Sequence, residues 1–297
     1  MTAAVEISKP DKVLFPDDGI TKAELAGYYE RIAERMLPHV RGRPVHMQRF
    51  PDGIDGEEIQ QKQVPDYFPD FVRRVEVERK GGGSVTHAVI DNPETLVYLA
   101  GQGCITPHTW LARSDRLDHP DQLIFDLDPS GDSLDPVRAA ARALKALLEE
   151  LGLVPYLKTT GSRGYHVVVP LDRGAPFDRA RAFAREVAAV LAARDPRRFT
   201  VEQRKDKRGD RVYLDTARNA YAQTAVAPYA VRALPGAPVA CPIDWRDLGR
   251  VEPRAFTLRT AMRRLARRRD PWAGMWDDAR PLREPGRRLE RLRAETA

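Results

Sequence analysis

Two short apolar segments separated by only seven residues limit the topology of this chain more than any other feature. Residues 154–158 (VPYLK) and 166–170 (HVVVP) read as strands, with the turn Thr159-Thr160-Gly161-Ser162-Arg163-Gly164 between them. So short a connection permits only antiparallel neighbours, because a parallel pair needs a crossover of a dozen or more residues. The pattern recurs at 72–77 and 85–90, which alternate like strands on either side of Lys80-Gly81-Gly82-Gly83-Ser84. Residues 123–125 form another short apolar strand that ends in Asp126-Leu127-Asp128 and is stopped by Pro129-Ser130-Gly131, and 211–215 is a further strand.

Amphipathic helices alternate with these strands. In 21–40, Thr21 reads as an N-cap with Glu24 three residues later, and Leu25, Tyr28, Tyr29, Ile32 and Met36 recur at helical spacing. Asp135 followed by Pro136 reads as the N-cap and first turn of a helix to about Leu151, with Val137, Ala141, Leu144, Leu147 and Leu148 on one side. Residues 177–193 make a third helix, and after Pro253 the chain reads as helical to near its end. The segment 41–70, rich in Pro, Gly and charge, reads as strand plus long surface loop. Together these elements predict an α+β fold of largely antiparallel sheets flanked by helices. No repeat or low-complexity linker divides the 297 residues, so one domain is expected. Within it we expect an N-terminal subregion to about 120, a core over 121–250 and a C-terminal helical extension over 251–297.

Composition narrows the function classes. With 42% apolar and 31% charged residues the chain is globular, and no apolar run approaches the roughly 18 residues of a membrane span. The start, MTAAVEISKPDK, lacks the basic flank and apolar core of a signal peptide, which places the protein in the cytoplasm. Cys104 and Cys241 are too few for a disulfide framework or a Cys-rich zinc site. Forty-nine Lys and Arg against 43 Asp and Glu leave a net charge of +6, which makes a polyanion a permissible partner. The arginines gather at 197–211 and 259–269, and the plain reading of such runs is a solvated face.

Two motifs carry chemistry. Asp126 and Asp128, two apart on a strand, project from one face and repel each other unless one is protonated or a cation lies between them. Their oxygens suit hard divalent ions such as magnesium or manganese. Asp215, at the end of Arg211-Val212-Tyr213-Leu214, is a third candidate, and three carboxylates on strand ends could hold two metals for phosphoryl transfer. An Asp-x-Asp pair also serves metal-dependent glycosyltransferases, and alone it is ordinary turn chemistry. The turn 159–164 offers hydroxyls, glycine-exposed N–H groups and Arg163, with His166 just beyond, as donors for a triphosphate. It is not a P-loop, because the Gly-x-x-x-x-Gly-Lys-Ser/Thr spacing and the following helix are missing.

The ordered set FDLDPSG, TTGSRGYHVVVPL and VYLDTARNAYAQTAVAPYAVRALPGAP resembles the archaeo-eukaryotic primase superfamily, and within it the polymerase domain of bacterial DNA ligase D. DKVLFPDDGITK, GRPVHMQRFPDGIDGE, HTWLAR and FTLRTAMRRLA extend the resemblance over nearly the whole chain. It implies a primase-polymerase core that copies template DNA with nucleoside triphosphates, preferring ribonucleotides at breaks or gaps, with two manganese or magnesium ions. Asp126, Asp128 and Asp215 match the metal-binding carboxylates. Thr160, Ser162, Arg163 and His166 match the triphosphate turn, with Thr160 and Arg163 standing where Ser and Lys are commoner. His108, Arg218 and Arg232 match residues near the nucleotide, and Lys12 and Lys22 a pocket for the 5′-phosphate of a downstream strand. Arg49, Lys62 and Lys205 are further DNA-binding candidates.

The chain departs from the pattern at Ile59 and Gln60, where the family commonly carries two adjacent Phe residues that stack on template bases. It shows no ligase or nuclease segment, so the resemblance implies a stand-alone, nucleoid-associated monomer. Such a protein would work with a Ku-like end-binding protein and a separate DNA ligase on gapped, overhanging or 5′-phosphorylated ends. Competing readings are a catalytically weak end-binding module that recruits repair factors, a nuclease of the same fold and a glycosyltransferase.

Overall fold

The computed structural model describes residues 5–79, 81–131, 133–265 and 268–296. In chain order the elements are β1 (Val13–Phe15), β2 (Ile20–Thr21), α1 (Lys22–Val40), β3 (Arg43–Arg49), β4 (Ile59–Gln61), β5 (Arg74–Glu78) and β6 (Ser84–Ile90). Then come α2 (Pro93–Gly101), β7 (Cys104–Trp110), β8 (Gln122–Asp128), α3 (Asp135–Glu150), β9 (Tyr156–Thr159), β10 (Tyr165–Pro170) and α4 (Phe177–Arg194). The last are β11 (Phe199–Thr200), β12 (Val212–Asp215), β13 (Thr224–Val226), β14 (Pro242–Ile243), α5 (Leu258–Leu265) and α6 (Arg283–Thr296). Among the described residues every strand pair is antiparallel except β11 with β12, and β9–β10 and β5–β6 are the two pairs the short connections predict.

Contacts divide the chain into two units interleaved in sequence. The first comprises Met1–Asp115, Thr224–Cys241 and Arg254–Asp270. Its main sheet runs β13-β7-β3-β6-β5, with β4 also paired to β3, so the expected long loop over 41–70 holds a second strand. The helix α1 begins as the sequence predicts. Thr21 Oγ1 accepts from Glu24 N at 3.2 Å and Thr21 N donates to Glu24 Oε2 at 3.0 Å, a reciprocal capping box. Leu25, Tyr28, Tyr29, Ile32 and Met36 are all buried. The strand expected at 72–77 starts later: Val72 N donates to Pro69 O, closing a turn before β5. Lys80 of the expected hairpin connection lies outside the described residues, and β5 and β6 pair as foreseen.

The second unit comprises Arg116–Gln223, Pro242–Pro253 and Pro271–Ala297. One sheet runs β11-β12-β8-β10-β9-β14. The apolar stripe of α3 (Val137, Ala141, Leu144, Leu147 and Leu148) is buried, as are Phe125 and Leu127 on either side of Asp126 in β8. The N-cap of α3 is Leu134, and Asp135 lies inside the first turn, pairing with Arg138 at 3.5 Å, so its expected capping role is corrected. The C-terminal region is not continuously helical. Two helices flank an irregular stretch in which Pro271 and Pro281 lack the N–H a helix requires and Gly274 adopts φ +80°. Trp272 fastens that stretch by donating Nε1–H to Leu157 O at 3.0 Å.

Candidate active site

Strand register builds the site in the second unit. β8 lies between β12 and β10, and Asp126 faces Asp215 on one side and His166 on the other. His166 in turn faces Lys158 on β9. Directly opposed residues share a sheet face, so Asp215, Asp126, His166 and Lys158 form one transverse row, with Asp128 two residues along. The sequence indicated the spacing of the aspartates. It held no sign of the buried Lys158, which only cross-strand register places in the row.

The charges in this row are strongly coupled. Burial pushes the Asp126 carboxyl up, but His166, Arg218 and Lys158 outweigh it and hold it below the usual carboxylate range. Burial and Lys158 push His166 down to about 4, so its imidazole is neutral at neutral pH. Asp128 is pushed up to about 6, first by desolvation and then by Asp126 and Asp215, against Arg163 and Arg218.

His166 Nε2 lies 3.3 Å from Asp126 Oδ1 and Arg218 Nε 3.8 Å from Asp126 Oδ2. Asp215 Oδ1 accepts from Ala217 N at 2.7 Å. With Asp126 and Asp215 turned to these neighbours, no three Asp, Glu, His or Cys side chains among the described residues form a ready metal-ligating set. The donor chemistry nevertheless fits a hard divalent ion. Three carboxylates share one face, Asp128 is destabilised by the other two, and the buried Oδ1 of Asp126 receives no well-formed hydrogen bond within the protein.

A cleft of about 360 Å³ opens over these residues, lined by Asp126, Asp128, Asp215, Arg163, Lys205 and Arg208 among others. In the turn, Thr160 is directed inward. Its Oγ1 accepts from Ser162 N and Gly164 N at 3.2 and 3.1 Å, and its hydroxyl donates to Gly164 O. The expected exposed donor is thus a brace that shapes the turn. Arg163 projects into the cleft, tethered to Pro129 O at 3.2 Å. His166 lies beside Asp126, buried.

Three features of the site escape sequence reasoning. Asn219 is buried and uses one amide for both backbone groups of Ile124: Ile124 N donates to its Oδ1 at 2.8 Å and its Nδ2 donates to Ile124 O at 2.7 Å. It replaces the partner strand where β12 has ended, and so holds the edge of β8 two residues before Asp126. Arg208 stacks 3.9 Å from the ring centroid of Tyr213 while donating to Glu202 O and Gln203 O. Ser130 donates to Arg211 O at 2.7 Å. Only the Asn after a strand-ending Asp (DTARN) was a visible signal, as turn chemistry.

The remaining candidates belong to the first unit. His108 on β7 faces His46 on β3, with ring centroids 6.3 Å apart. Arg232 follows Val231, whose N–H donates to Tyr29 Oη at 3.1 Å and whose carbonyl accepts from Thr106 at 2.8 Å. Lys12 pairs with Asp52 at 2.5 Å, and Lys22 donates to Ser8 O at 2.8 Å. Burial, then Lys12, Lys9 and Arg49, push the Lys22 ammonium down, which marks a cluster of cations. Arg49 donates to Gln102 O, and Lys62 is exposed beyond β4. In the basic run at 259–269, Arg259 pairs with Glu24 at 3.1 Å. Arg267 of that run lies outside the described residues.

A carboxylate row on an antiparallel sheet, beside a braced turn carrying a cation, is the platform of a primase-type nucleotidyltransferase. The chain belongs to the LigD primase-polymerase family, whose domain model matches residues 21–272. It is 34% identical over 264 residues to the multifunctional non-homologous end joining protein LigD of Mycolicibacterium smegmatis, covering 88% of this chain and 34% of that protein. It is 35% identical over 282 residues to LigD of Pseudomonas aeruginosa, covering 92% of this chain and 33% of that protein. The solved polymerase domain of Mycobacterium tuberculosis Ligase D in complex with DNA superposes with a TM-score of 0.86 at 31% identity, covering 93% of this chain and 99% of that one. The expected fold and family are thereby borne out. The chain spans about a third of the length of these curated relatives. Among the described residues no helix is long and apolar enough to cross a membrane.

Proposed function

We propose that this chain is a template-dependent nucleotidyltransferase that adds nucleoside triphosphates, ribonucleotides in preference, to DNA ends or gaps during end-joining repair. The observation that carries this reading is the transverse row that sets Asp215, Asp126 and His166 side by side, with Asp128 and Arg163 at the same cleft. Two manganese or magnesium ions held by Asp126, Asp128 and Asp215 would supply Lewis-acid stabilisation of the attacking and leaving oxygens. His166, Lys158 and Arg218 keep Asp126 ionised and aligned. Arg163 and Ser162 bind the triphosphate, Thr160 fixes the turn that presents them, and Arg218, His108 and Arg232 keep the nucleotide-binding roles the resemblance assigns. A Ku-like end-binder and a DNA ligase are the protein partners this role requires, and the chain acts as a monomer at the nucleoid.

Primer extension on gapped DNA tests the reading. Extension is expected with manganese or magnesium, faster with ribonucleotides than with deoxyribonucleotides. No extension with either nucleotide set, in the presence of sound DNA binding, overturns it in favour of an end-binding module.

Lys12 and Lys22, with Lys205, are assigned to DNA phosphates. The double variant Lys12→Ala/Lys22→Ala is expected to erase any preference for a 5′-phosphorylated gap. It should also lower the slope of log affinity against log salt by about one for each phosphate left without its lysine. Fluorescence anisotropy across a salt series measures both, and an unchanged 5′-phosphate preference would remove the assignment.

A further inference from the structure

Most aromatic side chains among the described residues are buried or half-buried. Among the described residues Tyr67, 63% exposed, and Phe71, 40% exposed, are the only aromatics among the exposed large apolar groups. They are held firmly. Tyr67 meets the buried Phe68 edge-on with centroids 5.3 Å apart, Phe68 meets Tyr98 at 5.0 Å, and Tyr98 meets Phe71 at 5.7 Å. Edge-to-face packing of this kind fixes ring orientation, so the exposed rings are preorganised.

A chain of contacts links these rings to the cation cluster. Tyr67 Oη lies 3.5 Å from Gln102 Oε1, Gln102 O accepts from Arg49 Nε at 2.8 Å, and Arg49 donates to Gln61 Oε1 on β4 at 2.5 Å. Arg49 also lies within electrostatic reach of Lys22, beside Lys12 and Lys9. The strand β4 itself presents Ile59 and Gln60, neither of which offers a ring. Rigid exposed aromatics running into a group of Arg and Lys match single-stranded nucleic acid, whose bases stack while its phosphates pair with cations. An apolar protein partner would have no use for the Arg49 guanidinium that Gln102 links to these rings.

We propose that Tyr67 and Phe71 form a stacking platform for unpaired bases of a template strand, whose phosphates pass along Arg49 toward Lys22, Lys12 and Lys9. This deepens the DNA reading above and rests on it. Tyr67 is the principal contact because its ring is the more exposed, and for the same reason its removal leaves the core intact.

The test is fluorescence anisotropy with a labelled oligothymidylate of about twelve nucleotides, the same oligonucleotide with abasic sites, and a blunt duplex. Tyr67→Ala is expected to weaken single-strand binding about tenfold, within the range seen when a stacking ring is removed. Tyr67→Phe should bind as the unaltered protein does, and duplex affinity should not change. Abasic sites should weaken binding by the unaltered protein and weaken Tyr67→Ala less, by the part that Phe71 still stacks, since each ring and its base are two halves of one contact. Equal single-strand affinity for Tyr67→Ala, parallel loss of duplex and single-strand binding, or undiminished abasic sensitivity in Tyr67→Ala overturns the platform while the DNA reading stands. Failure of the unaltered protein to bind any of the three DNAs overturns both.

Discussion

Replacing Asp126 and Asp128 together by alanine is expected to lower the rate of primer extension by at least about 10³-fold, which corresponds to several kcal/mol of lost transition-state stabilisation. The protein should still fold. Asp128 is already strained by its neighbours, its carboxyl being raised to about 6 by desolvation and by Asp126 and Asp215. Removing Asp128 relieves that repulsion, whereas removing Asp126 takes a carboxylate from His166, Arg218 and the buried Lys158. The melting temperature in metal-free buffer should therefore hold or rise for Asp128→Ala alone and fall by a few degrees for the double variant. DNA affinity should hold or rise, because two negative charges leave a cleft lined by Arg163, Lys205 and Arg208. Loss of extension with retained folding and binding separates catalysis from architecture. Undiminished extension by the double variant would sink the assignment of the carboxylates, and loss of DNA binding would make their role structural.

The contrast between Asp126 and Lys158 shows what a sequence carries. Asp126 and Asp128 were legible because i and i+2 on any strand share a face, whatever the rest of the fold does. Lys158 sits in an ordinary apolar strand, and its place beside His166 depends on which strands pair and in what register. Asn219 was hidden for the same reason, since its partner Ile124 is distant in sequence and its role is to bond an edge that β12 leaves uncovered. The helix α1 was readable to the residue because its capping box is local, and the capping misreading at α3 arose because Asp135 could equally begin or follow the first turn. Thr160 shows a subtler limit. Composition identified a hydroxyl in a glycine-containing turn, but not that the hydroxyl closes the turn on itself and leaves Arg163 as the group facing the cleft. Residue types announce which chemistry is available, and tertiary register decides which atoms are free to perform it.

That dependence on register makes Gly164→Ala the second large prediction. An added Cβ would lie 1.9 Å from Leu127 O and 2.8 Å from Asp128 Oδ1, far inside contact distance. Leu127 O is backbone in β8, at the interior of a six-stranded sheet, and cannot rotate aside as a side chain would. The start of β10 must therefore lift from β8. Lifting it breaks the hydrogen bonds that Thr160 makes with Gly164, at 3.0 Å through the backbone and 3.1 Å through Oγ1. Overpacking a tight site costs about 1–3 kcal/mol, and each broken hydrogen bond adds about 1 kcal/mol, so the variant should be destabilised by about 4 kcal/mol. At roughly 2–4 °C per kcal/mol for a body of this size, the melting temperature should fall by on the order of 10 °C. Two glycines provide the controls. Gly131→Ala meets nothing within 4 Å and should be silent. Gly161→Ala has a backbone φ of +66° to accommodate and should cost about 1 kcal/mol. A melting temperature for Gly164→Ala equal to that of Gly131→Ala would show that the hairpin does not approach β8 this closely. Asp128 would then not be held in the register that brings it to Asp126 and Asp215, and the repulsion that calls for a cation would have lost its structural cause.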